Sequence, residues 1–210
     1  MKTINDYKIN FKSTDLKDQV KEFLIYNGKE ETVVHSFEVA EEAKKLAGKF
    51  NESPEKAYIA GLLHDISVVI PNEERVELQE YLNKEVLEEE RILPMILHQK
   101  QSVFIAKELF GIKDKEILSS IECHTTLRKN ASHLDKIVFI ADKVKWDRDD
   151  SAPYLAELNN ALKSSLNDGC RVYINWALSD IIVMHPWLSS GMSDLCMVCS
   201  RIKNEQLYVK

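Results

Sequence analysis

Residues 60–68 read A-G-L-L-H-D-I-S-V, a histidine and an aspartate side by side in an apolar run. Burying such a pair costs free energy unless something hydrogen-bonds, neutralises or ligates it. The pattern recurs along the chain: His35 in VVHSFEVA, His98 in MILHQ, His124 in SSIECHTT and Asp142 in KIVFIADKV. Taken singly, each reads as a core residue with a buried hydrogen-bond partner. Taken together with His64 and Asp65, they form a set of imidazoles and carboxylates on successive apolar helical stretches, and one metal centre would satisfy them all. These donor types suit iron, manganese, zinc, nickel and cobalt, and a set without cysteine argues against a structural zinc knot. Helical proteins build such centres from ligands that converge from separate helices.

The elements that must position this set are helices almost throughout, since hydrophobic spacing is mostly of period 3.6. Thr14 or Asp15 is expected to cap a first helix that ends near Gly28, and a second is expected over about Glu30 to Phe50. The buried stripe of the second is Val33, Phe37, Ala40, Ala43, Ala47 and Phe50. Ser53 followed by Pro54 is a strong start signal for a third helix, which carries His64-Asp65. Ala60 and Gly61, one turn before His64, would let neighbouring helices approach closely. Asn72 is expected to cap an acidic, exposed helix through Leu82, and a short piece runs to Arg91. Further helices are expected over Gln99–Phe110, Lys113–His124, Ser132–Val144, Ala152–Asn167 and Arg171–Val183. The reading is a single all-α helical bundle, with residues 1–14 as an N-terminal extension and 15–210 as the domain.

Composition narrows the partners. The 210 residues hold 44% hydrophobic and 30% charged residues, as in an ordinary soluble domain. A net charge of −6 lacks the basic balance expected of a nucleic-acid binder. The polar start MKTINDYKINFK lacks the apolar stretch of a signal peptide, and YINWALSDIIVMHPWL is too interrupted to span a bilayer, so a cytoplasmic protein with no membrane partner is expected. Four cysteines suggest reduced thiols, and Cys196 and Cys199 read as packing residues. His133 reads as surface, His185 as packing, and Glu88-Glu89-Glu90 as a solvated helix face.

The ordered pattern His35, His64-Asp65, Asp142 resembles the HD-domain metal-dependent phosphohydrolases. With His98, His124, the phrases IECHTT and LDKIVFIADKV, and Arg148, it is similar to the bacterial symmetrical bis(5′-nucleosyl)-tetraphosphatase family. The resemblance implies His35, His64, Asp65 and Asp142 as ligands of one metal. His98 and His124 would complete a second, with Asp65 bridging, His64 and Asp65 at the catalytic centre, and iron as the favoured metal. It implies cleavage of diadenosine tetraphosphate to two ADP by a metal-bound hydroxide. Arg148, Lys143 and Arg128 are the expected substrate contacts, since a guanidinium fork suits phosphate. Thr32, Gln99, Leu127 and Lys145-Trp146 depart from the family's pattern, the second and third where glycine is usual. An HD phosphatase of mononucleotides, or a catalytically weak nucleotide sensor that keeps the metal site, are the alternatives. A homodimer is left open.

Overall fold

The computed structural model describes residues 3–145 and 152–180. Among them there is no strand, and ten α-helices alternate with four short 3-10 turns. Of the expected caps, those at Asp15 and Ser53 form as their chemistry dictates, while the Asn72 side chain caps no helix and accepts from the Arg75 Nε instead. Asp15 accepts from the Asp18 N–H ahead of α1 (Leu16–Tyr26), and Ser53 accepts from the Lys56 N–H ahead of α3 (Pro54–Leu63), with Pro54 in the first turn. Ser132 and Asp135 form a reciprocal capping box ahead of α8 (His133–Val144). Such caps contribute about 1 kcal/mol each by satisfying otherwise orphaned N–H groups.

The architecture is built around α2 (Glu30–Lys49), which packs on both α3 and α8, while α7 (Lys115–Glu122) packs on α3, α8 and α6 (His98–Glu108). The small residues foreseen on α3 explain its proximity to α2. A Cβ placed on Gly61 would lie 2.6 Å from the Ala40 Cα, so only glycine allows this backbone approach. Phe23, Leu62, Leu63, Ile66, Ile105, Ile121 and Phe139 fill the core without solvent exposure. Residues 3–14 join the same core through Ile4 and Tyr7, and Phe11 packs its ring on Phe110.

Several sequence expectations need correction. The segment expected as one exposed helix from Asn72 to Leu82 is a 3-10 turn, Asn72–Glu74, followed by α4 (Arg75–Tyr81), and Arg75, Leu78 and Gln79 are buried. Glu90, expected in a solvated run, is turned fully inward on α5 (Glu88–Ile92), where it pairs with Lys100 and accepts from the Leu87 N–H. A charge run cannot reveal that one of its members faces a buried lysine. The break between the last two described helices falls earlier than expected, between α9 (Leu155–Ala161) and α10 (Leu166–Asp180). The Ser165 hydroxyl accepts from the Asp168 N–H, and the turn-like N-D-G lies inside α10 because Gly169 gives room to Leu162. Trp146, Arg148, Val183, His185, Cys196 and Cys199 lie outside the described residues.

Candidate metal centre

The fold gathers six of the sequence-predicted residues into one cluster. His35 comes from α2, His64 and Asp65 from the turn that ends α3, His98 from the start of α6, His124 from the turn after α7, and Asp142 from α8. The His35 Nε2 lies 3.2 Å from the His64 Nε2 and 3.3 Å from an Asp142 Oδ1. The His98 and His124 Nε2 atoms lie 3.0 Å apart, and each faces the Asp65 Oδ1, at 3.3 and 3.1 Å. The other Asp65 oxygen faces His64 at 3.5 Å and His35 at 4.0 Å. Asp65 therefore stands between two halves, one carboxylate oxygen toward each.

Local structure explains why the rings point inward. The last carbonyls of a helix have no intrahelical partner. His64 Nδ1 donates to the Gly61 carbonyl at 2.7 Å and His124 Nδ1 to the Ile121 carbonyl at 2.8 Å, so each imidazole caps its own helix. His98 Nδ1 does the same for the Met95 carbonyl at 2.6 Å, at the end of the 3-10 turn Pro94–Leu97. With the proton on Nδ1, the Nε2 atoms of His98 and His124 present lone pairs, and the His64 Nε2 does so once its second proton is lost. His98 and His124 thus aim two lone pairs at each other across 3.0 Å, an arrangement that is repulsive unless a cation lies between them. The carboxyl-terminal ends of α3 and α7 add their negative dipole ends to the same place. The donor set fits divalent metal ions.

The electrostatics agree. Burial alone would lower the His64 pKa, but the Asp65 and Asp142 carboxylates outweigh it and raise it to about 9. Burial dominates at His124 and pushes it down to about 4. Against the burial that would raise them, the carboxyls of Asp65 and Asp142 are held well below the usual range, Asp65 by His64, His124 and His98, and Asp142 by Lys143, His35 and His64. The site thus concentrates anionic oxygen and imidazole nitrogen, which a cation relieves.

Residues 32–147 match the HD domain family. The chain belongs to this family. It is 43% identical over 176 residues to an uncharacterised protein encoded in the pepC 5′ region of Lactococcus lactis subsp. cremoris, spanning 83% of this chain and 89% of that one. It is 27% identical over 173 residues to the symmetrical bis(5′-nucleosyl)-tetraphosphatase of Bacillus subtilis, 77% of this chain and 91% of the relative. The crystal structure of a predicted HD superfamily hydrolase involved in NAD metabolism from Clostridium acetobutylicum superposes with a TM-score of 0.79 at 30% identity, covering 87% of this chain and 98% of that one. The protein is an HD-domain hydrolase.

The HD-domain cluster has supports that the sequence reading missed. The Thr125 hydroxyl lies 3.0 Å from the His98 Nε2. Gln99 is buried, and its carbonyl oxygen accepts from the N–H groups of Thr125 and Thr126 at 3.2 and 3.4 Å, so it clamps the HTT turn. Leu127 keeps a positive φ of 56° while its side chain is buried. The backbone that glycine would favour is retained there, and burial offsets the strain. Two of the three nominated substrate contacts, Lys143 and Arg128, are already engaged. Lys143 is buried with its Nζ on Asp142 Oδ2, and the Arg128 guanidinium is held by Glu122, Ser119 and, at 3.9 Å, Asp135. Only geometry could show these partners, since they are charges of ordinary spacing in the sequence.

Proposed function

We propose that this HD-domain hydrolase cleaves dinucleoside polyphosphates symmetrically in the cytoplasm, converting diadenosine tetraphosphate and water into two ADP. The reading is carried by the two-sided donor set that shares Asp65, and it is supported by relatives that bear the name of this activity. We assign His35, His64, Asp65 and Asp142 to one divalent ion and Asp65, His98 and His124 to a second. Iron is favoured, and manganese, cobalt, nickel or zinc suit the same donors. Such ions supply acidified water and offset phosphoryl charge.

The protein's own part is orientation. The Nδ1–H bonds of His64, His98 and His124 to backbone carbonyls fix both tautomer and ring direction, which raises ligand basicity. Lys143 braces Asp142 from behind, over the Phe139 and Tyr173 rings. Thr125, whose hydroxyl lies 3.0 Å from the His98 Nε2, and Arg148 are the proposed phosphate contacts. Incubation of metal-loaded protein with diadenosine tetraphosphate and chromatography of the products tests the proposal. ADP alone is expected, and His64→Ala should abolish it. Inorganic phosphate and nucleoside from mononucleotides would instead support the phosphatase alternative. Bound nucleotide without turnover would support a sensor.

A further inference from the structure

A cleft of about 290 Å³ opens beside the cluster, with Asp65 and His98 as its inner wall, Lys29 and Arg75 as its cations, and Val68 and Met95 as apolar faces. Among the described residues Asp65 is the only acid that lines it. Arg75 is 3% exposed and hydrogen-bonds neutral acceptors alone: Asn72 Oδ1 at 3.0 Å, Gln101 Oε1 at 2.7 Å, the Ser67 carbonyl at 3.1 Å and the Ser67 hydroxyl at 3.4 Å. Burying a guanidinium without a carboxylate in contact is costly, and its field is screened far less than that of a surface charge. Burial lowers its pKa to about 10 against the nearby Asp65 carboxylate, which raises it, so it stays charged at neutral pH. The single acid on the wall is shared among imidazoles of the cluster. Once that cluster holds cations, the cleft is a positive recess with an apolar face.

Its size decides what it holds. Small-ligand pockets run from about 300 Å³ upward, so this one admits a single arm of a dinucleoside tetraphosphate and not the whole molecule. Cleavage at the middle of the tetraphosphate places the reacting phosphorus at the metals, and the substrate must extend from there in two directions. We infer that the Lys29–Arg75 cleft is the subsite for one nucleoside diphosphate arm, with Lys29 on its phosphates and Val68 and Met95 against the nucleoside. Arg75 acts through the field it projects and through its hold on the Ser67 and Gln101 framework. The inference rests on the dinucleoside polyphosphate reading and deepens it.

Lys29 is partly exposed, so its substitution does not threaten the core. The test titrates a methylene-bridged, non-hydrolysable diadenosine tetraphosphate into metal-loaded protein by calorimetry, beside KM and kcat on the hydrolysable substrate. Lys29→Ala should weaken Kd and raise KM about tenfold, the scale of one charge-assisted phosphate contact, with kcat little changed, and Lys29→Arg should restore both. Lys29→Glu should weaken binding further. Wild-type affinity in both Lys29→Ala and Lys29→Glu would overturn the inference, as would an analogue that does not bind the wild type. Lys29-dependent binding in a protein that does not turn the substrate over would keep the cleft and sink the catalytic reading. Turnover with Lys29-independent binding would do the reverse.

Discussion

The close approach of α2 and α3 sets the spacing of half the donor cluster, and Gly61→Ala perturbs it directly. The added Cβ would lie 2.6 Å from the Ala40 Cα and 2.9 Å from the Ala40 N. Carbon atoms in contact sit about 3.5–4.0 Å apart, so the helices must part by about 1 Å. Both obstructing atoms are backbone, so no side chain can turn aside. His35 rides on α2 and His64 closes α3, with their Nε2 atoms 3.2 Å apart. A metal site tolerates about 0.2 Å in its ligand distances, so a parting of this size splits the half-site. Overpacking of this kind costs about 1–3 kcal/mol. For a domain of this length that is a fall of roughly 2–12 °C in Tm. Thermal melts with and without metal, together with a metal titration, read both effects, and metal affinity should fall at least tenfold. Gly48→Ala is the control, because nothing lies within 4 Å of its added Cβ. It should hold metal as the wild type does and gain about 0.5–1 kcal/mol from helix propensity. Wild-type Tm and metal affinity in Gly61→Ala would show that the α2–α3 approach does not set the spacing of His35 and His64.

Three further outcomes follow from particular groups. In the metal-free protein His64 holds a proton until about pH 9, whereas His124, lowered to about 4, is already neutral. Metal affinity should therefore rise with pH, on the order of tenfold per unit, and level off above about 9, with proton uptake into the buffer read by calorimetry in buffers of different ionisation enthalpy. A flat profile between pH 6 and 8 would contradict this. At Leu127, Leu127→Ala should lose about 2–4 kcal/mol of buried contact. Leu127→Gly should be the milder change by about 1 kcal/mol, because φ is positive there, and denaturant melts would show the inversion of the usual order. Gln99→Ala leaves the Thr125 and Thr126 N–H groups without their acceptor, so kcat/KM should fall while metal content holds. Equal kcat/KM would show that the clamp does not position the HTT turn.

The donor set was legible because six ionisable residues stand in apolar helical runs, where each would otherwise need its own partner. Their order along the chain and the caps at Asp15 and Ser53 were readable from local chemistry. The small residues before His64 likewise pointed to the α2–α3 approach. What was not legible depends on distance in three dimensions. The tautomers are set by carbonyls that become orphaned only once the helices end at Leu63 and Glu122. Glu90 looks like its solvated neighbours until Lys100 is packed beside it. Arg75 sits in an acidic stretch that suggests a surface helix, yet Ser67 and Gln101 draw it inward. Leu127 shows that a non-glycine residue can keep a left-handed backbone when its side chain is buried.

The cluster around Asp65 is proposed to hold a pair of divalent ions. The most direct test is metal content by mass spectrometry, on protein purified without oxygen and reconstituted with iron, for the wild type and for Asp65→Ala. Two ions per chain are expected in the wild type, with loss of at least one when the shared carboxylate is removed. Wild-type protein that holds no stoichiometric metal after reconstitution, or Asp65→Ala protein that keeps both ions, would contradict that proposal.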